Sequence, residues 1–165
     1  MAPFVYPFFF LLDVVNLVAL ISGGLIFMEK TLSRNKAHDI ALFAIYDVLT
    51  YSAAKLPAPI EDIVSGLTEQ SFEDSDFFVK EMVLAMVKHY QEIIPIFEKN
   101  MRKWTFDRLN LLEQALLLLA YCQSYYSVEK TDKAIIINVS VELAKKYLSD
   151  NDYKFVNAIL DKVLA

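Results

Sequence analysis

The chain has 165 residues, with 16 Lys and Arg against 21 Asp and Glu, a formal charge of −5, two His and one Cys. At roughly 100–200 residues per domain this is one domain, long enough to bury a core. A single Cys excludes a disulfide framework and any multi-cysteine metal site. The hydrophobic fraction of 56% exceeds the roughly 45–50% of ordinary globular chains, and the excess lies at one end. Residues 1–27 hold 20 apolar side chains and one charge, Asp13, whereas all 16 Lys and Arg lie beyond them.

The chain therefore reads as an apolar leader, 1–27, followed by a body, 28–165. Three readings of the leader stay open: an upstream start outside the native sequence, a membrane anchor over 4–28, or a signal peptide. A signal peptide needs a basic n-region, and no Lys or Arg precedes Lys30. A membrane helix needs about 20 apolar residues. Asp13 and Asn16 interrupt that run, and a central Asp costs about 2.5–3.5 kcal/mol on insertion scales.

The body has one Gly, Gly66, and Pro at 57, 59 and 95, too few turn residues for a β-rich domain. Its apolar spacing is helical. Ser33 can cap a helix over about 34–52, whose Ala41, Ala44, Ile45, Val48 and Leu49 make one stripe. Leu56-Pro57-Ala58-Pro59 breaks the chain, and a short helix over about 60–69 follows. Asp74 or Ser75 can cap a helix to about 91. Pro95 fits the first turn of a separate short helix better than the interior of a long one. After a connector at 104–109, Asn110 and Glu113 have capping-box spacing. They open a helix to about 126 that is apolar nearly all round and so is expected to be central. Thr131 or Asp132 opens a sixth helix to about 148. Asp150 or Asp152 opens a seventh, with Val156, Ile159, Leu160, Val163 and Leu164 as its stripe. The expectation is one all-α domain of about seven helices.

Little in the body points to catalysis. His38 and His89 are too few and too far apart for a metal centre, Cys122 sits in the apolar central helix, and one Gly cannot build a phosphate-cradling loop. The acids Glu73, Asp74 and Asp76 fall at a helix start, where the dipole favours them. The body reads as a binding module, with no enzymatic role, metal or cofactor expected.

Four blocks carry a resemblance. SRNKAHDIALFAIYDVL at 33–49, WTFDRLNLLEQALLLL at 104–119, AIIINVSVELAKKYL at 134–148 and KFVNAILDKVL at 154–164 resemble, in order and spacing, the NusB family of bacterial antitermination factors. The closing motif, Lys154-Phe155-Val156-Asn157, is the most specific, and Trp104 with Arg108-Leu109 supports it.

The resemblance implies an all-α fold of two packed helical subdomains, a cytoplasmic protein, and binding of single-stranded boxA-like RNA from ribosomal RNA transcripts. Its implied partners are the small-subunit ribosomal protein that acts as NusE and, indirectly, other Nus factors and RNA polymerase, suppressing premature termination. Carried over by position, the RNA-binding residues would be Arg34, Asn35, Lys36 and His38 in the opening helix and Lys154, Phe155 and Asn157 in the closing one. Cations tracking phosphates and aromatic faces stacking on bases suit such a role. Phe155 can equally be read from its spacing as a core aromatic, and Arg34 and Lys36 as a solvated helix start.

The sequence also departs from the family. Asn35 and His38 stand where Arg is usual. Leu118 and Gln123 replace a polar Arg and Glu, Val139 follows Asn138 in place of Glu, and Ala158 replaces Gly. With 16 cations against 20 carboxylates in the body, RNA binding must rest on a local basic patch. The alternatives are a helical protein–protein adaptor that kept the fold and lost RNA binding, and a protein tethered to a membrane by residues 4–28.

Overall fold

The computed structural model describes residues 32–101 and 104–164; the leader lies outside them. The described residues form six α-helices and one 3-10 turn, with no strand among them. No helix among them is long and apolar enough to cross a membrane.

Helix α1, Arg34–Ala53, starts where Ser33 accepts the backbone N–H of Lys36. Its stripe from Ala37 through Leu49 is buried. It ends in a Schellman motif, Leu56 N–H donating to the Tyr51 carbonyl and Lys55 N–H to that of Ser52, each at 2.9 Å. Lys55 takes the left-handed conformation that this motif requires, at φ 60°. Helix α2, Ile60–Thr68, follows Pro59 and buries Ile63 and Val64.

Helix α3, Phe77–Asn100, corrects the sequence reading twice. Its cap is Asp76, which accepts the N–H groups of Phe78 and Val79. It also runs unbroken through Pro95, so two expected helices are one and the count is six. An interior Pro removes one backbone hydrogen bond and costs about 3 kcal/mol. Here Pro95 and Gln91, the residue one turn back, are both exposed, so water can satisfy the orphaned carbonyl. Ile93 and Phe97 on the opposite face are fully buried. At roughly 1.5–3 kcal/mol each, they outweigh the interruption.

The 3-10 turn Phe106–Arg108 sets Phe106 in the core, 5.4 Å from the Phe97 ring. Helix α4, Leu111–Tyr125, opens with the expected capping box. Glu113 N–H donates to Asn110 Oδ1 at 2.8 Å, and Asn110 N–H donates to Glu113 Oε2 at 3.4 Å. Every residue of α4 from Glu113 to Gln123 is buried. Helix α5 is Lys133–Tyr147 and helix α6 is Asp152–Val163.

The first three helices form one group, α1 packing on α2 and α3, and the last three form another. Helix α4 is the seam, because it also packs against α1 and α3. One continuous apolar cluster runs through both groups. The tie between His38 and Gln123 sets the start of α1 beside the end of α4. Tyr125 donates to the Val163 carbonyl at 3.2 Å, joining the ends of α4 and α6.

Candidate nucleic-acid interface

The expected site residues divide into surface and core. Arg34, Asn35 and Lys36 are exposed in the first turn of α1. Arg34 donates from Nη2 to Oε2 of Glu129, and its guanidinium lies 5.2 Å from the Phe78 ring centroid. His38 is placed differently, only 3% exposed. Its Nδ1 donates to the Arg34 carbonyl at 2.8 Å, its Nε2 lies 3.0 Å from Oε1 of Gln123, and its ring packs 4.7 Å from that of Phe78. The burial has a readable cause: His38 falls three and seven residues before Ala41 and Ile45, on the apolar stripe. With both ring nitrogens engaged inside the fold, His38 offers no edge to a phosphate.

The same pair explains two family departures. Gln123 is buried and bonded to His38, and Leu118 is fully buried. Gln123 is uncharged and Leu118 apolar, so neither position leaves a lone buried guanidinium or carboxylate, which would be costly.

At the start of α6, Lys154 is exposed and donates to Asn151 Oδ1 at 3.0 Å. Phe155 is half-buried against the core, so one side of the ring packs and part of it faces solvent. Asn157 is exposed and lines a shallow cleft between α5 and α6 of about 690 Å³, with Asn138, Ile137 and Val141. The Lys133–Asp161 ion pair, 3.3 Å, stands at this cleft.

The two blocks are bridged by residues that the sequence reading assigned no role. Lys36, Asp39 and Phe43 share one face of α1 by their spacing. Asp39 accepts from Lys146 Nζ at 2.8 Å and from the Tyr147 hydroxyl at 3.0 Å, and the Phe43 ring meets that of Tyr147 edge-on at 5.0 Å. Lys145 and Lys154 then flank the Tyr153 ring at 5.5 and 5.9 Å. The last turn of α5 thus sets Lys145, Lys146 and Tyr147 between the start of α1 and the start of α6, where Tyr153 meets them. The signal was present as Lys145-Lys146-Tyr147 and Tyr153-Lys154-Phe155, two basic–aromatic triplets either side of one turn.

Charge on this strip is firm. The hydrogen bond from Lys145 to Glu142 raises its ammonium above the usual lysine range, and the bond from Lys146 to Asp39 does the same there. Elsewhere, burial pushes the Cys122 thiol up, away from the thiolate a nucleophile needs. Among the described residues, no group of three or more His, Cys, Asp or Glu is placed to hold a metal ion. Trp104 is exposed, with the Arg108 guanidinium 5.3 Å from its ring.

The chain is similar to known proteins across this fold. The NusB family model matches residues 35–165. The transcription antitermination protein NusB of Finegoldia magna is 42% identical over 91 residues, which are 55% of this chain and 65% of that relative. The protein of that name from Ligilactobacillus salivarius is 35% identical over 129 residues, covering 77% of this chain and 96% of the relative. Among solved structures, T. maritima NusB superposes with a TM-score of 0.68 at 21% identity, over 81% of this chain and 92% of its own. A chain in the crystal structure of a plectonemic RNA supercoil gives 0.62 at 24% identity, over 79% of this chain and 92% of its own. The likeness to the solved structures is one of fold, over 81% and 79% of this chain, and the family match over residues 35–165 takes in both basic–aromatic triplets and the capping box; the chain belongs to the NusB family.

Proposed function

We propose that this protein is a transcription antitermination factor. It binds single-stranded boxA-like RNA of ribosomal RNA transcripts together with the small-subunit ribosomal protein that acts as NusE. The complex joins other Nus factors and RNA polymerase in the cytoplasm and suppresses premature termination. The observation that carries this reading is family membership over residues 35–165. The strip running from Lys36 through Lys146 and Tyr147 to Lys154 supports it, because single-stranded RNA is held by cations interleaved with aromatic faces. Arg34, Asn35, Lys36, Lys154, Phe155 and Asn157 make direct contacts in this reading, and His38 supports them from the core.

The body carries 16 cations against 20 carboxylates, so affinity for RNA alone is low and the partner completes the site. Titrating labelled boxA RNA with the full chain, with and without the ribosomal protein, tests this. The expected result is weak binding alone and tighter binding in the complex. If Arg34, Lys36 and Lys154 can be replaced together without changing affinity in the complex, the surface is wrong and the adaptor reading takes its place.

In this reading residues 28–165 are the functional unit and the apolar residues 1–27 take no part in it. A chain starting at Met28 would then stay helical, unfold cooperatively and bind the same RNA. Loss of folding on that truncation would make the leader part of the core.

A further inference from the structure

Arg34, a cation of the RNA reading above, already holds an anion. It pairs with Glu129 of the α4–α5 loop, 95 residues away, with 45% and 67% of the two side chains exposed. The loop is fixed in place to make that contact. Glu81 of α3 accepts the Ser127 hydroxyl at 2.9 Å and the Val128 N–H at 2.6 Å. Phe78, over which the guanidinium lies at 5.2 Å, stands three residues before Glu81 and so on the same face of α3. The contacts close a ring, from Glu81 to the loop, from Glu129 to Arg34, and from Arg34 back to Phe78.

A carboxylate and a phosphodiester present the same kind of anionic oxygen to a guanidinium fork. We propose that Glu129 competes with the RNA phosphate for Arg34, so that RNA must displace this carboxylate, and that Glu81 is the positioning residue that keeps it in place. Glu129 thereby sets the affinity of the free protein for RNA below what its cations would give, and the loop is released when RNA engages α1. The inference rests on the RNA reading and concerns a residue which that reading does not use.

An exposed ion pair shifts an equilibrium by about two- to fivefold. The full chain and the variants Glu129→Gln, Arg34→Gln and both together are titrated with labelled single-stranded boxA RNA, at low and at raised salt. Arg34 and Glu129 are exposed and Glu81 is half-buried, and circular dichroism checks that each variant is folded. Glu129→Gln is expected to bind about two- to fivefold tighter than the parent, with the gain shrinking as salt screens the pair. The gain should vanish in the Arg34→Gln background. Glu81→Gln, which loosens the loop, should recover part of it. A gain of equal size without Arg34 would mean that Glu129 merely repels RNA through space, and overturns the inference, as would no gain at all. If neither the parent nor any variant binds boxA RNA, with or without the ribosomal protein, the RNA reading itself fails and takes this one with it.

Discussion

His38 Nε2 and Gln123 Oε1 lie 3.0 Å apart and fasten the first turns of α1 to the end of α4. Nδ1 of His38 also meets the Arg34 carbonyl at 2.8 Å, so both ring nitrogens are held inside the fold. Replacing His38 with Ala leaves the buried amide without this partner and removes the ring packed on Phe78. The expected loss is about 2–3 kcal/mol of unfolding free energy, measured by urea denaturation. Loss within about 0.5 kcal/mol, as at an exposed site, would place the ring outside the core.

Leu116 and Leu119 are 1% and 2% exposed on the seam helix. Leu→Ala at either site should cost about 2–5 kcal/mol, with an unchanged dependence on denaturant concentration. A near-neutral result at both would contradict the central position of α4.

Pro95 offers the opposite sign. Pro95→Ala restores a backbone donor toward the Gln91 carbonyl inside a continuous helix, while loosening the unfolded chain. The net expectation is a stabilisation of about 1–2 kcal/mol, seen as a higher urea midpoint. Destabilisation would show that α3 depends on the shape Pro95 imposes.

Glu113 ties stability to pH. Burial, with the Asp152 charge adding to it, raises its carboxyl above the ordinary value of 4.5. The folded state therefore holds the proton more tightly than the unfolded state. This group's contribution is most favourable below pH 4.5 and is lost as pH rises through the folded value. Glu113→Gln keeps a side chain able to complete the capping box. It should gain stability relative to the parent between pH 4 and 7, approaching it at the acidic end. A difference that stays constant over that range would remove Glu113 as the cause.

On the RNA side, Phe155→Ala should lose about 1–3 kcal/mol of binding if the ring stacks on a base, while the remaining α6 stripe keeps the domain folded. Lys36→Ala should weaken all single-stranded sequences alike and flatten the dependence of log K on log salt by about 0.7. Filter binding across a salt series reads both. If Phe155→Ala unfolds the protein, the ring is a core residue first.

Much of this fold can be read locally. The stripe of α1, the Asn110–Glu113 capping box and the closing stripe of α6 each depend on neighbours within two turns. The continuity of α3 cannot be read that way. The local rule takes Pro95 as a break, whereas Phe97 is covered by Phe106 and Tyr121, which approach from elsewhere in the chain. The site divides likewise. Arg34, Lys36 and Lys154 are legible as cations at helix starts, but nothing local pairs Asp39 with Lys146, 107 residues on. The burial of His38 is legible locally too, because the residue falls on the apolar stripe of α1.

The seam position of α4 has a consequence for how the chain can be divided. Each group of three helices completes its apolar surface only against the other, so neither holds a finished core. Severing the backbone between Met101 and Trp104 would remove a covalent link but none of the packing around Leu116 and Leu119. The two pieces would be mutually dependent: disordered when apart, and on mixing restoring the native helicity as a non-covalent pair with a concentration-dependent melting point.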